Sequence, residues 1–181
     1  MGISVKNLET APAGSKPVLE AVKGKFSFIP NLMGLFATNP EALKSYLALT
    51  ETFASSGLSN VEQQVVAISV SRENNCEYCV AAHSAIGSMG GIERKLIDQL
   101  RSGERLTDPK LEALRVFTQK VTATRAVIDE ESVQNFKAAG YSDEHVMAVL
   151  IGVAMKTLSN YANHIGKTPL DEAFAPFAWK K

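Results

Sequence analysis

The chain has 181 residues, of which 45% are hydrophobic, and 19 basic side chains balance 19 acidic ones, so its formal net charge is zero. This length and apolar content suffice for one domain with a substantial core. No Lys or Arg cluster stands out, so the charge pattern of a nucleic-acid-binding protein is missing. No basic segment followed by an apolar run begins the sequence, and the longest apolar stretch, near residues 146–155, is too short to span a bilayer. We therefore expect a soluble, cytoplasmic, single-domain protein over residues 1–181 that binds neither nucleic acid nor membrane.

Helix signals recur along the chain after a mixed N-terminal segment, residues 1–14, which we expect to form an extended arm. Helix starts are indicated at Ser15, Asn39-Pro40, Ser59 with Glu62, Asn75, Asp108-Pro109, Asp129 and Ser142, and a short helix is expected after Pro30-Asn31. Helix ends are indicated at Gly57, Gly90-Gly91, Gly103 and Gly140. No segment alternates apolar and polar residues between hairpin signals. The sequence therefore predicts an all-α fold whose tail forms a turn and a short helix.

Both cysteines of the chain and one of its three histidines lie in residues 73–83, here called the redox stretch. Asn75 is a favourable N-cap and neither Gly nor Pro follows it in this stretch, so we predict a helix that begins at Cys76. On such a helix Cys76, Cys79 and His83 are spaced by three and four residues and share one face. The free N–H groups of the first turn favour a thiolate, more strongly at Cys76 than at Cys79. The spacing thus predicts a redox site, in which an imidazole takes a thiol proton and two sulfurs close a disulfide.

Two other uses of a Cys-x-x-Cys motif fit this sequence less well. Structural zinc requires four ligands, whereas the chain offers Cys76, Cys79 and His83 without a second Cys-x-x-Cys or a paired histidine. A thioredoxin-like site requires a preceding strand and a parallel sheet, and neither is indicated. In a reducing compartment a lone Cys-x-x-Cys is more typical of catalysis than of a permanent cross-link. We expect no metal and no cofactor.

Polar residues elsewhere leave their roles open. His145 lies in the first turn of a helix among acidic neighbours, which is typical of a solvated surface residue. Asn160 and His164 belong to a polar cluster near the end of a buried helix, which either faces a cavity or satisfies its own hydrogen bonds. Tyr78 either holds its hydroxyl over the site or packs beside the helix start. A Ser-His-Asp triad, a phosphate-binding loop and a dinucleotide fingerprint are absent from the sequence.

A resemblance to a known family covers most of the chain. The segment Leu58-Ser59-Asn60-Val61-Glu62, the run Asn74-Asn75-Cys76-Glu77-Tyr78-Cys79 and the pair Ala82-His83 resemble those of AhpD-like alkylhydroperoxidases in the carboxymuconolactone decarboxylase superfamily. Pro30-Asn31 and residues 160–164 are similar to those of its peroxidase-related members. The resemblance implies an AhpD-like helical bundle that assembles as a homo-oligomer, a trimer or a hexamer, with the redox site near subunit boundaries.

The resemblance also implies a chemistry, the cofactor-independent reduction of a small hydroperoxide in antioxidant defence. Cys79 would attack the hydroperoxide, and Cys76 would resolve the resulting sulfenic acid as a disulfide. His83 would relay the proton from Cys79. A protein dithiol would then reduce the pair and complete the turnover.

One position departs from the family pattern. A glutamate on the preceding helix supports the relay in the family's peroxidases, and the matching residue here is Gln64, which can hydrogen-bond but cannot accept a proton. Either Glu62 or Glu73 takes this role, or the relay is shortened to His83 and water and the activity is weak, since one general base contributes about 10²–10⁴ in rate. Tyr78 stands where some family members carry a second histidine.

Two alternative functions remain open at this point. The superfamily also contains enzymes that decarboxylate a cyclic lactone acid, but that reaction does not need paired cysteines. A non-catalytic, redox-sensing oligomer is the other alternative, and the glutamine at position 64 keeps it open.

Overall fold

The computed structural model describes residues 2–181. All regular structure in this range is helical and no strand occurs in it, which confirms the all-α prediction. The elements are α1 (Lys16–Phe26), α2 (Asn31–Phe36), α3 (Pro40–Ala54), α4 (Asn60–Glu73), α5 (Glu77–Met89), α6 (Arg94–Ser102), α7 (Pro109–Thr124), α8 (Glu130–Ala138), α9 (Asp143–Gly166) and a 3₁₀ helix (Glu172–Phe177). None of these helices is both long and apolar enough to cross a bilayer.

Side-chain caps set several helix starts where the sequence predicts them. The Asn39 side chain accepts hydrogen bonds from two backbone N–H groups at the start of α3, and Pro40 occupies the first turn, where its missing N–H does no harm. Ser59 and Glu62 form the predicted capping box of α4. These helix starts are therefore fixed by local chemistry.

His145 has a structural role that the sequence interpretation missed. It is half-buried, and its Nδ1 accepts a hydrogen bond from the backbone N–H of Ser142 at 3.0 Å, which completes a capping box at the start of α9. Its ring also packs edge-on against Tyr141. His145 is therefore a helix cap, not a freely solvated side chain.

Helix α4 is the centre of the packing. It contacts α5, α7 and α9, and its Val65, Val66 and Ile68 are fully buried. Gly152 permits the close approach of α9, because a Cβ there would lie 2.7 Å from both Phe53 and Val66. Since α5 and α9 also contact each other, the redox stretch lies against α9.

Both ends of the described chain dock on the helices. The Lys6 N–H donates to the carbonyl of Gly34 at 2.9 Å, which fixes the N-terminal arm on α2. The Arg101 guanidinium donates to the carbonyls of Phe177 and Ala178 at 2.8 and 3.0 Å, and the Trp179 indole N–H donates to the Arg101 carbonyl at 3.0 Å. The tail therefore lies against α5 and α6.

Candidate active site

Helix α5 begins one residue later than predicted. Cys76 is itself the N-cap, with extended backbone, and the first helical residue is Glu77. Asn75 adopts a left-handed conformation, with φ of 55°, in the tight bend between α4 and α5. Asparagine tolerates this conformation better than most residues. The bend therefore uses Asn75, and the capping position moves to Cys76.

The two cysteines are free, buried thiols that lie together. The Cys76 thiol hydrogen-bonds the Cys79 sulfur. The Nδ2 atom of Asn163 on α9 lies 3.2 Å from Sγ of Cys79 and 3.7 Å from Sγ of Cys76. The Ser159 hydroxyl lies 3.8 Å from the Cys79 sulfur. The Asn163 amide therefore contacts both sulfurs, and polar side chains of α9 line one side of the site.

The environment separates the pKa values of the two thiols. Burial raises the pKa of Cys79, but the hydrogen bond from Cys76, the positive charge of Lys156 and the hydrogen bonds of Ser159 and Asn160 together bring this pKa well below its ordinary value. The pKa of Cys76 is raised by its hydrogen bond to Cys79, by burial and by the negative charge of Cys79. The lower pKa therefore belongs to Cys79 and the higher one to Cys76, the reverse of the order expected from the helix N-terminus alone.

Lys156 is the site residue that the sequence interpretation missed. Its side chain is only 1% exposed, its Nζ lies 2.8 Å from Nε2 of His83, and its positive charge helps to lower the pKa of Cys79. Burial lowers the pKa of Lys156, but the charges of Cys79, Tyr46 and Cys76, of which Cys79 contributes most, together raise the pKa above its ordinary value. The sequence does contain a pattern that predicts a polar face on α9. Four polar residues recur there at helical spacing, at Lys156, Ser159, Asn160 and Asn163.

His83 is held between Lys156 and Gln64. Its Nδ1 lies 2.9 Å from Oε1 of Gln64. An ammonium can only donate, so Nε2 of His83 accepts from Lys156 and Nδ1 carries the proton that is donated to Gln64. Burial and the charge of Lys156 keep the pKa of His83 well below its ordinary value, so the ring is neutral. The contacts run from Gln64 through His83 and Lys156 to Cys79.

Neither acidic candidate for the relay belongs to this chain of contacts. The Glu62 carboxylate accepts hydrogen bonds from the backbone and hydroxyl of Ser59 at 2.8 and 2.7 Å and pairs with Lys110 at 3.4 Å. Glu73 is half-buried in the last turn of α4. Because Gln64 and Lys156 occupy both ring nitrogens of His83, the imidazole has no free position for a carboxylate.

Tyr78 points its hydroxyl away from the sulfurs. This hydroxyl donates to the buried carboxylate of Asp171 at 2.5 Å and accepts from the backbone N–H of Leu32 at 3.3 Å. The ring packs edge-on against Phe174 of the tail. Tyr78 therefore joins α5 to α2 and the C-terminal tail, and it also borders the clefts beside the thiols.

The two candidates on α9 have different surroundings. Asn160 is buried: its Nδ2 donates to the Ser71 hydroxyl at 3.3 Å, and its Oδ1 accepts from Asn74 at 3.0 Å. His164 is exposed, and its Nε2 lies 3.3 Å from the carbonyl of Asn75. Asn160 thus ties α9 to the end of α4, whereas His164 lines the mouth of the cleft.

A cleft of about 260 Å³ opens beside Cys76. Its walls are Asn75, Cys76, Glu77, Tyr78, Asn163, His164, Lys167 and Thr168. A larger cleft of about 470 Å³ shares Tyr78 with it and includes Leu170 and Trp179 of the tail. Cys79 lies behind these walls and is 1% exposed. Within residues 2–181, no three His, Cys, Asp or Glu side chains converge as metal ligands.

Comparisons of the sequence and of the fold with known proteins point to one superfamily. Residues 40–117 match the carboxymuconolactone decarboxylase family. A peroxidase-related protein of Ralstonia eutropha with an alkylhydroperoxidase AhpD core has 26% sequence identity and a TM-score of 0.83, over 98% of this chain and 96% of that one. Both comparisons support the AhpD and carboxymuconolactone decarboxylase superfamily for this chain. No curated protein matches the sequence significantly.

Two further structures share the AhpD-like fold. A peroxidase-related protein of a Silicibacter species has 20% identity and a TM-score of 0.82, over 96% of this chain and 93% of that one. The debrominase Bmp8 in its apo form has 17% identity and a TM-score of 0.77, over 91% of this chain and 90% of that one. The family match includes Gln64, both cysteines and His83 but ends before α9, so Lys156 lies outside it.

Proposed function

We propose that this superfamily member is a thiol-dependent peroxidase that reduces small organic hydroperoxides through a disulfide between Cys76 and Cys79. The observation that carries the proposal is the pairing of a Cys79 sulfur whose pKa is lowered with a protonated Cys76 thiol, both on the Asn163 amide. A thiolate is the nucleophile that attacks a peroxide, and a neighbouring thiol traps the product. The likeness to peroxidase-related proteins supports the same reaction.

The reaction proceeds in two steps at the sulfurs. The Cys79 thiolate attacks the outer oxygen of the hydroperoxide, which breaks the O–O bond, leaves a sulfenic acid and expels an alkoxide that takes up one proton to depart as the alcohol. The Cys76 thiol then displaces water from that sulfenic acid and closes the disulfide. A protein dithiol reduces the disulfide in the reducing cytoplasm, and the cycle serves antioxidant defence. No cofactor takes part.

Substrate access requires a local opening of the cleft wall. The Cys79 sulfur is almost completely buried, whereas Cys76 borders the cleft of about 260 Å³. Asn163 contacts both sulfurs and also lines the cleft, so its displacement would bring a hydroperoxide from the Cys76 side to Cys79.

Self-association is part of the proposal. Exposed apolar side chains recur along the outer face of α9, at Met147, Leu158, Tyr161 and Ile165. A single helix face of this kind marks an interaction surface, and a second copy of the chain is the partner we propose, in a trimer or hexamer. Sedimentation of the wild type and of Ile165→Glu would test it, since the assembly should shift toward monomer in the variant.

The test of the peroxidase function is a count of thiols against time. Reduced wild type mixed with tert-butyl hydroperoxide should lose both thiols together, and a dithiol should restore them for repeated turnover. Cys76→Ser should stop at a sulfenic acid that dimedone traps, and Cys79→Ser should not react. His83→Ala should react slowly.

Two results would oppose the proposal. If the hydroperoxide oxidises the wild-type thiols no faster than the remaining thiol of Cys79→Ser, the protein has no peroxidase activity. If the thiols oxidise once but no dithiol restores turnover, the chain is a redox sensor instead.

A further inference from the structure

Lys156 is a buried cation whose anionic neighbour is a sulfur. None of the ion pairs among residues 2–181 includes Lys156. Its Nζ lies 2.8 Å from Nε2 of the neutral His83 imidazole, and the strongest anionic influence on its pKa is the charge of Cys79. A buried ammonium without an anion is strongly disfavoured. The charge of Lys156 therefore depends on the charge of Cys79, which oxidation removes.

We propose that Lys156 is the proton donor of the site: an ammonium while Cys79 is a thiolate and a neutral amine while the disulfide is present. The proposal rests on the peroxidase function given above and adds a catalytic residue to it. In this proposal Lys156 takes the place of a carboxylate, because the residue beside His83 is Gln64 and not a glutamate.

The proton balance of the first step requires a donor at this place. When the Cys79 thiolate bonds the outer peroxide oxygen, both electrons of the O–O bond pass to the inner oxygen, which leaves as an alkoxide. An alkoxide is a poor leaving group unless it is protonated as it departs. Lys156 lies one helical turn before Ser159, whose hydroxyl is 3.8 Å from the attacking sulfur, and the charges of Lys156 and Cys79 act on each other, so Lys156 is placed to protonate the leaving oxygen. Transfer of that proton gives the alcohol and a neutral amine.

The remaining steps balance without a further donor. Cys76 and the sulfenic acid of Cys79 yield the disulfide and water, and both the sulfurs and Lys156 are then uncharged. A protein dithiol brings two protons with its two electrons when it reduces the disulfide. One proton stays on Cys76 and the other returns to Lys156, which restores the ion pair with Cys79.

His83 and Gln64 act as positioning residues for Lys156. Gln64 accepts the Nδ1 proton at 2.9 Å, which leaves the Nε2 lone pair directed at the ammonium at 2.8 Å. This arrangement fixes the Lys156 Nζ beside the sulfur in both redox states. Because Gln64 cannot take up a proton, the imidazole orients Lys156 and does not pass its proton onward to α4.

The other groups that face Lys156 do not supply a competing charge. Tyr46 of α3 is buried, and burial raises the pKa of its hydroxyl, so it remains a neutral phenol. Cys76 of α5 remains a thiol because its pKa is raised. From α5, His83 is neutral, and behind it α4 presents only the amide of Gln64. Cys79 is therefore the group that sets the charge of Lys156.

The experiment compares an electrophile that needs no proton with one that does. Iodoacetamide alkylates a thiolate and releases iodide, whereas tert-butyl hydroperoxide must release an alkoxide. Lys156→Arg keeps the cation but holds its proton too tightly to donate it. We expect its alkylation rate to stay near that of wild type and its hydroperoxide rate to fall about 10²-fold or more. Peracetic acid, whose leaving carboxylate needs no proton, should react with both proteins at similar rates.

A matched variant separates the two roles of the cation. Lys156→Met removes the charge and keeps a similar shape, so alkylation at neutral pH should fall along with the hydroperoxide rate. If Lys156→Arg and wild type consume the hydroperoxide equally fast, or if Lys156→Arg slows both probes by one factor, Lys156 is a counter-ion and not a donor.

A second measurement uses the wild type and no hydroperoxide. The pH dependence of the disulfide midpoint potential counts the protons taken up with two electrons, at pH values where alkylation shows Cys79 to be a thiolate. We expect two protons, on Cys76 and Lys156, and a count of one would overturn the proposal. If wild-type thiols do not react with hydroperoxide, the peroxidase function fails, while this count still decides whether Lys156 changes its charge with the redox state.

Discussion

Replacement of Asn163 by Leu tests what holds Cys79 as a thiolate. The substitution removes the amide that lies 3.2 Å from the Cys79 sulfur and 3.7 Å from the Cys76 sulfur. A hydrogen bond to a charged group contributes about 1.5–3 kcal/mol. Since one pKa unit corresponds to about 1.4 kcal/mol, the pKa of Cys79 should rise by about 1–2 units.

The same substitution should affect folding little, which isolates its effect on the thiol. The Oδ1 atom of Asn163 is buried without a hydrogen-bond partner, so Leu removes an unsatisfied acceptor together with the donor. Asn135→Leu on α8 is a matched control, because Asn135 is exposed and has no contact with the sulfurs.

The assay is the rate of iodoacetamide alkylation of the reduced protein as a function of pH. The midpoint for Asn163→Leu should lie about 1–2 pH units above that of wild type, and the midpoint for Asn135→Leu should not move. Mass spectrometry of the alkylated peptide should place the label on Cys79. A profile for Asn163→Leu that coincides with the wild-type profile would refute the role assigned to the amide.

Three further predictions concern charge and packing. Gln64→Glu places a carboxylate beside Nδ1 and should raise the pKa of His83, which NMR titration measures; an unchanged pKa would contradict the contact. The free energy of urea unfolding of the reduced protein should increase as pH rises toward about 8.5, by at most about 1.4 kcal/mol per pH unit. The reason is that the pKa of Cys79 is lowered in the folded protein, so the unfolded chain binds more protons than the folded one in this pH range. A Cys79→Ala, Lys156→Met double variant should lack this slope. Gly152→Ala should cost about 1–3 kcal/mol in urea unfolding, because its methyl group would lie 2.7 Å from two side chains; no loss would mean that the helices relax.

The sequence by itself determined the helices and the spacing of the two cysteines and His83. The capping signals at Asn39 and Ser59 act within one turn, so they specify helix starts wherever the helix packs. The spacing of Cys76, Cys79 and His83 likewise depends on a single stretch of chain. The prediction that Asn75 is the N-cap of α5 was wrong for a reason that is also local. Asn75 adopts a left-handed conformation in the tight bend before α5, so the N-cap is the next residue, Cys76.

The direction in which the pKa of each sulfur shifts follows only from the tertiary structure. The position of Cys76 at the helix start predicted the stronger helix-terminus effect there, but Asn163 of α9 lies 3.2 Å from the Cys79 sulfur and the charge of Lys156 lowers the pKa of Cys79. Lys156 reaches its partner His83 across 73 positions of sequence, and its burial depends on how α5 and α9 pack. Charge interactions weaken with distance and strengthen with burial. The distances between the charged groups and the burial of each group are set only when the chain folds. The electrostatics of the site therefore depend on how α9 packs against α5.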